Sequence, residues 1–266
     1  MPALDPDIQN AIHRLWDELA DFDASQTGAA LRHLQDALCR LAGPWNVRWT
    51  GAVRVNEQFG DDPLQGWRMA VLQILHPMTL LPVDPKHVDP KHKEIVQLWD
   101  QRKMDPSFLL PIQGVGSFRT YSFRRQLPPD WFDTTFYEHF YGSRGVYDSL
   151  YVRFPLNPNA ESHFGFYARE RFIDDQTALL AYALRGIKWF HRRLMPNNGL
   201  LIASSPLTPM EHRVLILLLT EATEQQIAGQ LGLAVSTVHQ HVVILFRKFG
   251  VRNRAGLMSL WLNRGG

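Results

Sequence analysis

The sequence predicts two domains of different fold class: an α+β domain, with an antiparallel sheet and flanking helices, followed by an all-α domain of four helices. Three observations support this division. The 266 residues exceed the usual length of one domain. Segments of roughly alternating polarity lie in the first part of the chain, whereas the apolar residues after residue 206 repeat at helical spacing. From Pro206 onward, six lysines and arginines face three acids, and all but three of the aromatic residues precede that point.

The domain boundary is predicted at a segment rich in turn-forming residues. Pro196-Asn-Asn-Gly interrupts a helical pattern, and Pro206 precedes the next one. We therefore expect a regulatory domain at 1–195, a linker at 196–205 and a helical domain at 206–266.

Composition excludes several classes of protein. Hydrophobic residues make up 45% of the chain and charged residues 20%, as in ordinary globular proteins and unlike disordered ones. The single cysteine excludes an intramolecular disulfide and a cysteine zinc cluster. The first residues lack the basic and apolar regions of a signal peptide, and no apolar run approaches the ~20 residues that span a bilayer. We expect a cytoplasmic protein that does not associate with membranes.

The elements of the first domain follow from its apolar periodicity and its turn signals. We predict helices at 7–22, 25–41, 92–103, 130–141 and 174–194, strands at 46–55, 67–76 and 117–126, and a hairpin of strands at 148–156 and 162–169. Prolines and charged residues predict a loop from Pro82 to His92.

Two capping boxes predict where helices begin in the second domain. Thr208 and Glu211 form a T-x-x-E box, with Pro209 at the first helical position. Thr223 and Gln226 form a second capping box before a short helix, which ends at Gly232.

A longer helix is predicted at 235–249. Val238, Val242, Leu245 and Phe249 recur on one of its faces, which we expect to be buried, and Gly250 ends it. A short helix, a tight turn with glycine and a longer helix form the helix-turn-helix pattern, in which the outer face of the second helix can enter a major groove.

The motifs of this region resemble those of the LuxR/GerE-type DNA-binding domain over about 60 residues without gaps. They are Leu207-Thr-Pro-x-Glu, Val214-Leu, Ile227-Ala, Leu231-Gly, Thr237-Val, His241-Val and Arg247-Lys-Phe-Gly-Val-Arg-Asn-Arg-Ala. The resemblance implies a four-helix domain that binds DNA as a dimer. It also implies that the last helix supplies the dimer contact, here through Leu257, Met258, Leu260 and Trp261.

The resemblance also implies the positions that meet DNA. They are Thr223, Ser236, Thr237, His239, Gln240 and Val243, with Arg247, Lys248, Arg252 and Arg254 as candidates for phosphate contacts. Gln240 can pair with adenine through two hydrogen bonds, and Val243 can touch a thymine methyl group. For Val243, burial in the domain core is the alternative, and Arg247 and Lys248 can equally form a solvated helix face.

Four positions depart from the family's pattern. Ala234 replaces the usual serine cap, which forfeits about 1 kcal/mol. Gln226 replaces a glutamate, and the usual basic residues at 239 and 243 are histidine and valine. These departures concern the DNA sequence that is bound and the strength of binding.

Residues from Trp131 to about Met195 resemble the closing half of GAF/PAS-like sensor domains. That resemblance implies a pocket between a sheet and its covering helices. The acyl-homoserine-lactone receptors of the LuxR family carry Trp-x3-Tyr in their pocket, and no tryptophan of this chain has a tyrosine four residues later. Aromatic content gives the pocket candidates, for which a plain hydrophobic core is the alternative. They are Trp49, Trp67, Tyr121, Phe123, Phe136, Tyr151, Phe164 and Phe166.

Metal binding and catalysis find little support. Asp84, His87, Asp89 and His92 belong to a small tandem repeat, but their spacing matches no zinc motif. The sequence has no Gly-x-Ser-x-Gly elbow and no His-Glu-x2-His motif. We therefore expect no metal, no cofactor and no enzymatic activity.

Together these observations predict a bacterial transcription regulator. Its expected partners are a pseudo-palindromic duplex DNA, a second copy of the chain, a small-molecule effector and RNA polymerase. Two alternatives stay open: a ligand-free regulator whose first domain dimerises or binds a partner protein, and an enzyme with a DNA-binding tail.

Overall fold

The computed structural model describes residues 5–54, 60–76, 90–197 and 207–264. The helices are α1 (Pro6–Ala20), α2 (Thr27–Ala42), α3 (Pro90–Asp100), α4 (Pro106–Leu109), α5 (Phe123–Gln126), α6 (Thr135–Phe140), α7 (Asp174–Arg185), α8 (Lys188–Asn197), α9 (Pro209–Leu218), α10 (Glu224–Leu231), α11 (Val235–Phe249) and α12 (Arg254–Arg264). The strands are β1 (Asn46–Arg54), β2 (Trp67–Ile74), β3 (Arg119–Ser122), β4 (Asp148–Asn157) and β5 (Ala160–Ala168). Short 3-10 turns occupy Ala24–Gln26, Pro129–Asp133 and Gly142–Arg144.

The chain forms two compact units. One comprises Met1–Leu15 with Leu34–Gly186, and the other comprises Trp16–His33 with Ile187–Gly266. Both units therefore draw on separated parts of the sequence. Residues 196 and 197 of the predicted linker belong to the end of α8, the rest of 196–205 lies outside the described residues, and the division stays a prediction.

The first unit is built on a five-stranded sheet of order β2-β1-β5-β4-β3. All neighbouring strands are antiparallel, and β4 and β5 form the predicted hairpin. The predicted antiparallel sheet with flanking helices is thus confirmed. β1, β5 and β4 lie at the centre, where both of their faces are covered, and their residues are nearly all buried.

The two faces of the sheet differ in chemistry because successive side chains of a strand point to opposite sides. One face is apolar: Trp49 opposes Phe164, which in turn opposes Val152, and all three are buried. The other face carries tyrosines and charged residues, and it borders a second apolar cluster that includes Trp99 and Phe108. Among the described strand residues, the charged side chains that line a cavity, Arg48, Arg153, Glu161 and His163, lie on this second face.

Four predicted elements differ in the structure. The helix expected at 174–194 is two helices, because Gly186, a residue of low helix propensity, ends α7. The strand expected at 117–126 ends at Ser122, where the short helix α5 begins. The aromatic helix expected at 130–141 starts as a 3-10 turn and restarts at Thr135, which Thr134 caps by accepting from the Tyr137 amide. The loop expected to reach His92 gives way to α3 at Pro90, a residue that fits the first turn of a helix.

The all-α class predicted for the second domain is confirmed. Thr208 with Glu211 and Thr223 with Gln226 form the two expected capping boxes, at the starts of α9 and α10. The axes of α10 and α11 are bent by 112°, and Gly232 adopts the left-handed conformation between them, with φ of 66°. The buried positions of α11 are Val238, Val242, Leu245 and Phe249, as the periodicity predicts.

Within the described ranges, no single helix is long and apolar enough to cross a membrane, and α10 and α11 reach that length only when the bent pair is counted together.

Candidate functional sites

The outward face of α11 is a stripe of polar and small apolar side chains. Its exposed residues recur three or four positions apart, which places them on one side of the helix. They are Val235, Ser236, His239, Gln240, Val243 and Arg247. Val235 and Val243 are 46% and 40% exposed, although valine side chains are usually buried. We call these six residues the α11 stripe.

One carboxylate borders the stripe. The Nδ1 atom of His239 lies 3.0 Å from the Oε2 atom of Glu224, in the first turn of α10. Thr223, the cap of α10, is exposed beside it, whereas Thr237 is half-buried. The start of α11 itself has no side-chain cap, because the residue at that position is Ala234. The amides of the first turn of α11 are therefore not capped by a side chain.

The four basic residues near the end of α11 differ in their surroundings. Arg247 and Arg252 are exposed. Lys248 Nζ donates to Glu211 Oε2 over 2.7 Å, which joins the last turn of α11 to the first turn of α9. Arg254 donates to the carbonyl oxygens of Thr220 and Ala222 in the loop before α10. Lys248 and Arg254 thus hold the domain together, while Arg247 and Arg252 face solvent.

The Lys248–Glu211 pair is shielded from solvent, with side chains 18% and 7% exposed. Burial alone raises the pKa of Glu211, but hydrogen bonds from Lys248 and from the Thr208 amide outweigh it and lower that pKa below its ordinary value. This carboxylate therefore stays charged near neutral pH and fixes the start of α9.

The first unit contains a cavity between the polar face of the sheet and the segment from α3 to β3. Its empty volume, including the mouth, is about 580 Å³, of which the centre of a water molecule can occupy about 40 Å³. The apolar wall includes Met69, Ile95, Trp99, Phe108, Ile112, Phe123 and Tyr141.

The floor of the cavity is formed by residues that lie opposite one another on neighbouring strands. Tyr121 of β3 opposes Tyr151 of β4, which opposes Gly165 of β5, which opposes Arg48 of β1. The rings of Tyr121 and Tyr151 stack with centroids 5.0 Å apart. This row crosses four strands, and its members are up to 117 residues apart in the sequence, from Arg48 to Gly165.

A second row carries a buried polar network. Arg119 donates to both carboxylate oxygens of Glu161 over 2.9 Å. His163 Nε2 lies 2.9 Å from Glu161 Oε2, and its Nδ1 lies 2.9 Å from Arg153 Nη1. Arg153 also donates from Nε to the Tyr121 hydroxyl over 2.9 Å. Arg153 Nη1 lies 2.9 Å from both ring nitrogens of His163, and a neutral imidazole that accepts at Nδ1 and donates from Nε2 to Glu161 fits these contacts.

The network sets the protonation of its members. Burial and the charge of Arg153 lower the pKa of His163 to about 3, so the imidazole is neutral near pH 7. Burial raises the pKa of Glu161, but the hydrogen bonds from His163 and Arg119 dominate and hold it well below its ordinary value. Glu161 is therefore a carboxylate and His163 carries no charge.

Comparison with known proteins assigns the helical domain. Residues 205–261 match the family model described as GerE, bacterial regulatory proteins, luxR family. The helical domain belongs to that family. The match covers α9, α10, α11 and most of α12, and hence the whole α11 stripe. The predicted LuxR/GerE resemblance is thereby confirmed.

Three solved structures are similar to large parts of the chain. The VqsR LBD domain from Pseudomonas aeruginosa is 15% identical, covers 71% of this chain and 96% of its own, and has a TM-score of 0.45. SdiA in complex with octanoyl-rac-glycerol is 12% identical, covers 99% of this chain and 98% of its own, and has a TM-score of 0.49. A structure of Escherichia coli SdiA gives 12% identity, 96% coverage of both chains and a TM-score of 0.45. All three TM-scores lie below 0.5, so only the helical domain is assigned to a family.

Half of the ten residues predicted to contact DNA lie together on the outward face of α11. Ser236, His239, Gln240, Val243 and Arg247 are members of the α11 stripe. Val243 is exposed, so the alternative of burial in the core does not hold.

The residues predicted for the dimer contact lie in α12. Leu257 is fully buried in the core of the luxR-family domain, and Met258 and Leu260 are half-buried against it. The side chain of Trp261 is outside the described part of the chain.

The eight aromatic pocket candidates are divided between the two faces of the sheet. Trp67, Tyr121, Phe123 and Tyr151 line the cavity. Phe136 packs edge-on behind Phe108, with centroids 5.8 Å apart. Trp49, Phe164 and Phe166 are buried on the opposite, apolar face, where Trp49 Nε1 donates to Ser162 Oγ over 2.8 Å.

Sequence reasoning missed the charged floor of the cavity. Arg48, Arg153, Glu161 and His163 line it and were not among the candidates. A signal was present, because each occupies an interior position of a strand in which most other residues are apolar or aromatic. A charged residue there is rarely buried unless it has a partner.

The tandem repeat at Asp84, His87, Asp89 and His92 lies outside the residues whose side chains are described. Among the described residues, no group of three or more histidines, cysteines and acids is placed to hold a metal ion.

Proposed function

We propose that this protein is a transcription regulator that binds duplex DNA through the α11 stripe. The observation that carries the proposal is the stripe itself: six exposed residues on the outer face of the second helix of a luxR-family helix-turn-helix. A major groove is wide enough for one helix, whose side chains then meet the base edges. Gln240 is suited to adenine, and Val235 and Val243 to thymine methyl groups.

The surroundings of the four basic residues indicate which of them are available to contact phosphates. Arg247 and Arg252 are exposed and are the candidates for phosphate contacts. Lys248 and Arg254 already donate to groups within the domain, so recruiting them to phosphates would break those bonds. Thr223 lies at the start of α10, where an exposed hydroxyl and the helix dipole favour a phosphate.

We infer that the regulator acts as a homodimer on a pseudo-palindromic site. Two recognition helices must then lie about one DNA turn apart, near 34–36 Å. In α12, Met258, Leu260 and Trp261 are the candidates for the dimer contact, whereas Leu257 serves the core of its own domain. RNA polymerase is the expected protein partner, and the cytoplasm the expected compartment.

We further infer that residues 1–195 sense a small molecule and that 196–205 link them to the DNA-binding domain at 206–266. The cavity beside the polar face of the sheet supports this role over that of a ligand-free dimerisation module, which would have a solid core. We assign no enzymatic activity to the chain.

Binding of the full-length protein to a fluorescent duplex, measured by anisotropy at several salt concentrations, tests the DNA-binding role. The logarithm of the binding constant should fall by roughly 0.9 per phosphate contact for each unit in the logarithm of salt concentration. Arg247→Ala should reduce this slope by about 1 and weaken all sequences alike. Arg171→Ala removes the same charge from an exposed position of the first unit and should leave the slope unchanged. Binding that does not weaken with salt would contradict the proposal.

A further inference from the structure

The cavity floor holds more positive than negative charge. Arg48, Arg119 and Arg153 supply three guanidinium groups near it, and Glu161 is the one carboxylate among the described lining residues. That carboxylate bonds both of its oxygens to Arg119 and lies 4.0 Å from Arg153 Nη1. His163 adds no charge near neutral pH, since burial lowers its pKa to about 3. The floor therefore retains a positive excess.

Arg48 is the centre of that excess. Its Nη2 atom donates to the Tyr151 hydroxyl over 3.3 Å, and its charge lies 5.5 and 5.7 Å from the ring centroids of Tyr151 and Tyr167. Within the described part of the chain, no carboxylate comes within ion-pair distance of it. Arg48 is half-buried, ring faces compensate such a cation only in part, and a guanidinium stays charged at any physiological pH. The site therefore favours an added anion.

The backbone is arranged to keep this guanidinium in place. Gly165 lies between Arg48 and Tyr151 on the sheet. A Cβ atom at that position would come within 2.8 Å of Tyr151 Cε1 and 3.2 Å of Arg48 Nε. The missing side chain is what lets the arginine lie across β5 toward the tyrosine. Arg48 is thus held at the cavity by its neighbours, with most of its N–H groups not used by the described residues.

Two further hydrogen-bonding groups of the lining have no partner. Trp67 Nε1 and Ser107 Oγ are buried, and no described residue bonds to either. An indole nitrogen can only donate, and a hydroxyl can donate. Buried donors without partners are costly, so the cavity favours an occupant rich in acceptor oxygens.

We infer that the cavity binds a small organic acid, whose carboxylate pairs with Arg48 and whose apolar body packs against Trp99 and Phe108. The planar fork of a guanidinium matches a carboxylate with two parallel hydrogen bonds. A neutral ligand would leave the charge of Arg48 uncompensated, and a cation would be repelled. This inference rests on the proposed sensor role and names the chemical class of its signal.

The test uses matched pairs of probes that differ only in charge: 3-phenylpropionate with 3-phenylpropanamide, and indole-3-acetate with indole-3-acetamide. Calorimetry reports binding to the full-length protein. The wild type should bind at least one acid more than tenfold more tightly than its amide. Arg48→Met should remove that preference, and Arg48→Lys should keep part of it, because it restores the charge without the fork.

Controls separate this inference from the proposed function. Arg171→Met removes an exposed charge of the same unit and should leave acid binding unchanged. Circular dichroism establishes that Arg48→Met folds, and anisotropy on duplex DNA should show the salt slope of the wild type. A normal slope without acid binding would overturn the inference alone, whereas loss of DNA binding by the wild type would overturn the proposed regulator.

Three results would overturn the inference. Equal affinity for acid and amide, or preference for the amide, would contradict the role of charge. Unchanged acid binding by Arg48→Met would contradict the role of this residue. Inorganic phosphate binding as tightly as every organic acid, or no acid binding at all, would contradict a cavity built for an organic acid.

Discussion

The α11 stripe and the cavity floor place their arginines in opposite surroundings. Arg247 is exposed and remains hydrated until a polyanion displaces its water and counterions. Arg48 is held in a cavity against tyrosine rings, with no described carboxylate beside it. A hydrated charge costs little to maintain, whereas a charge that is half-buried, as in Arg48, is stabilised more by a partner. We therefore expect the stripe to tolerate substitution and the cavity floor to be sensitive to it.

The largest expected effect is a loss of stability when the buried network around Glu161 is broken. Glu161→Gln keeps the shape of the side chain but removes the charge that neutralises Arg119 and Arg153. Breaking one side of a buried ion pair destabilises a protein by about 3–5 kcal/mol. Urea denaturation followed by tryptophan fluorescence measures this loss.

The exposed pair of Asp36 and Arg40, four residues apart on α2, supplies the control. Asp36→Asn should change the free energy of unfolding by no more than about 0.5 kcal/mol. If Glu161→Gln and Asp36→Asn lowered the free energy of unfolding by the same amount, the buried network would contribute no more to stability than an exposed ion pair.

The second effect is on sequence discrimination by the α11 stripe. Gln240→Ala should reduce the preference for a specific over a random duplex by about 1–3 kcal/mol, because one base pair loses its two hydrogen bonds. The fold should be unchanged, since the side chain is exposed. Gln230→Ala, at an exposed position of α10, is the control for loss of an amide. Discrimination that survives Gln240→Ala would remove this residue from the interface.

These two predictions reflect how differently the sequence revealed the two sites. The second domain was predictable because its signals are local: Thr208 with Glu211 and Thr223 with Gln226 form contacts three residues apart. The stripe follows from the period of a single helix, so placing it required no knowledge of tertiary contacts.

The cavity floor could not be found in this way. Arg48 and Tyr151 face the same space only because β5 lies between their strands with Gly165 opposite both. Register of this kind depends on the whole sheet, and aromatic content alone did not separate Tyr151, which lines the cavity, from Trp49, which does not. The break of the predicted helix at Gly186 likewise depends on packing that periodicity does not encode.

A third prediction concerns pH. His163 is neutral in the folded protein because its pKa is about 3, whereas it takes up a proton in the unfolded chain near pH 6.5. Below that pH the unfolded state binds more protons, so stability falls as pH falls. From pH 6.5 to pH 5 the loss should be about 1.5 kcal/mol.

Urea denaturation across this range, compared with His163→Gln, isolates the effect. Glutamine cannot titrate, so the variant should lose less stability over the interval. The charged and titratable neighbours of His163 are Arg119, Arg153, Glu161 and Tyr121. Burial raises the pKa of Tyr121 and hydrogen bonds hold the pKa of Glu161 well below its ordinary value, so neither group titrates between pH 5 and 6.5 in the folded protein. If the free energy of unfolding fell equally with pH in the wild type and in His163→Gln, His163 would not be a neutral, buried imidazole.

The smallest effect is a gain of stability at the start of α11. Ala234 has the backbone conformation of a helix cap, with φ of −70° and ψ of 146°, but its side chain cannot accept a hydrogen bond. Ala234→Ser should therefore stabilise the luxR-family domain by about 1 kcal/mol. Ala234→Val, which also lacks an acceptor, should give no gain. Thermal denaturation compares the two, and an equal response would mean that capping is not what the position lacks.

Selection from a random pool of duplexes tests most directly whether the α11 stripe recognises a DNA sequence. The full-length wild type should enrich a pseudo-palindromic motif whose half-sites are centred about one helical turn apart. The double variant His239→Ala/Gln240→Ala should enrich no such motif, or one altered at the contacted base pairs. Enrichment of the same motif by both proteins, or of none by the wild type, would contradict the account.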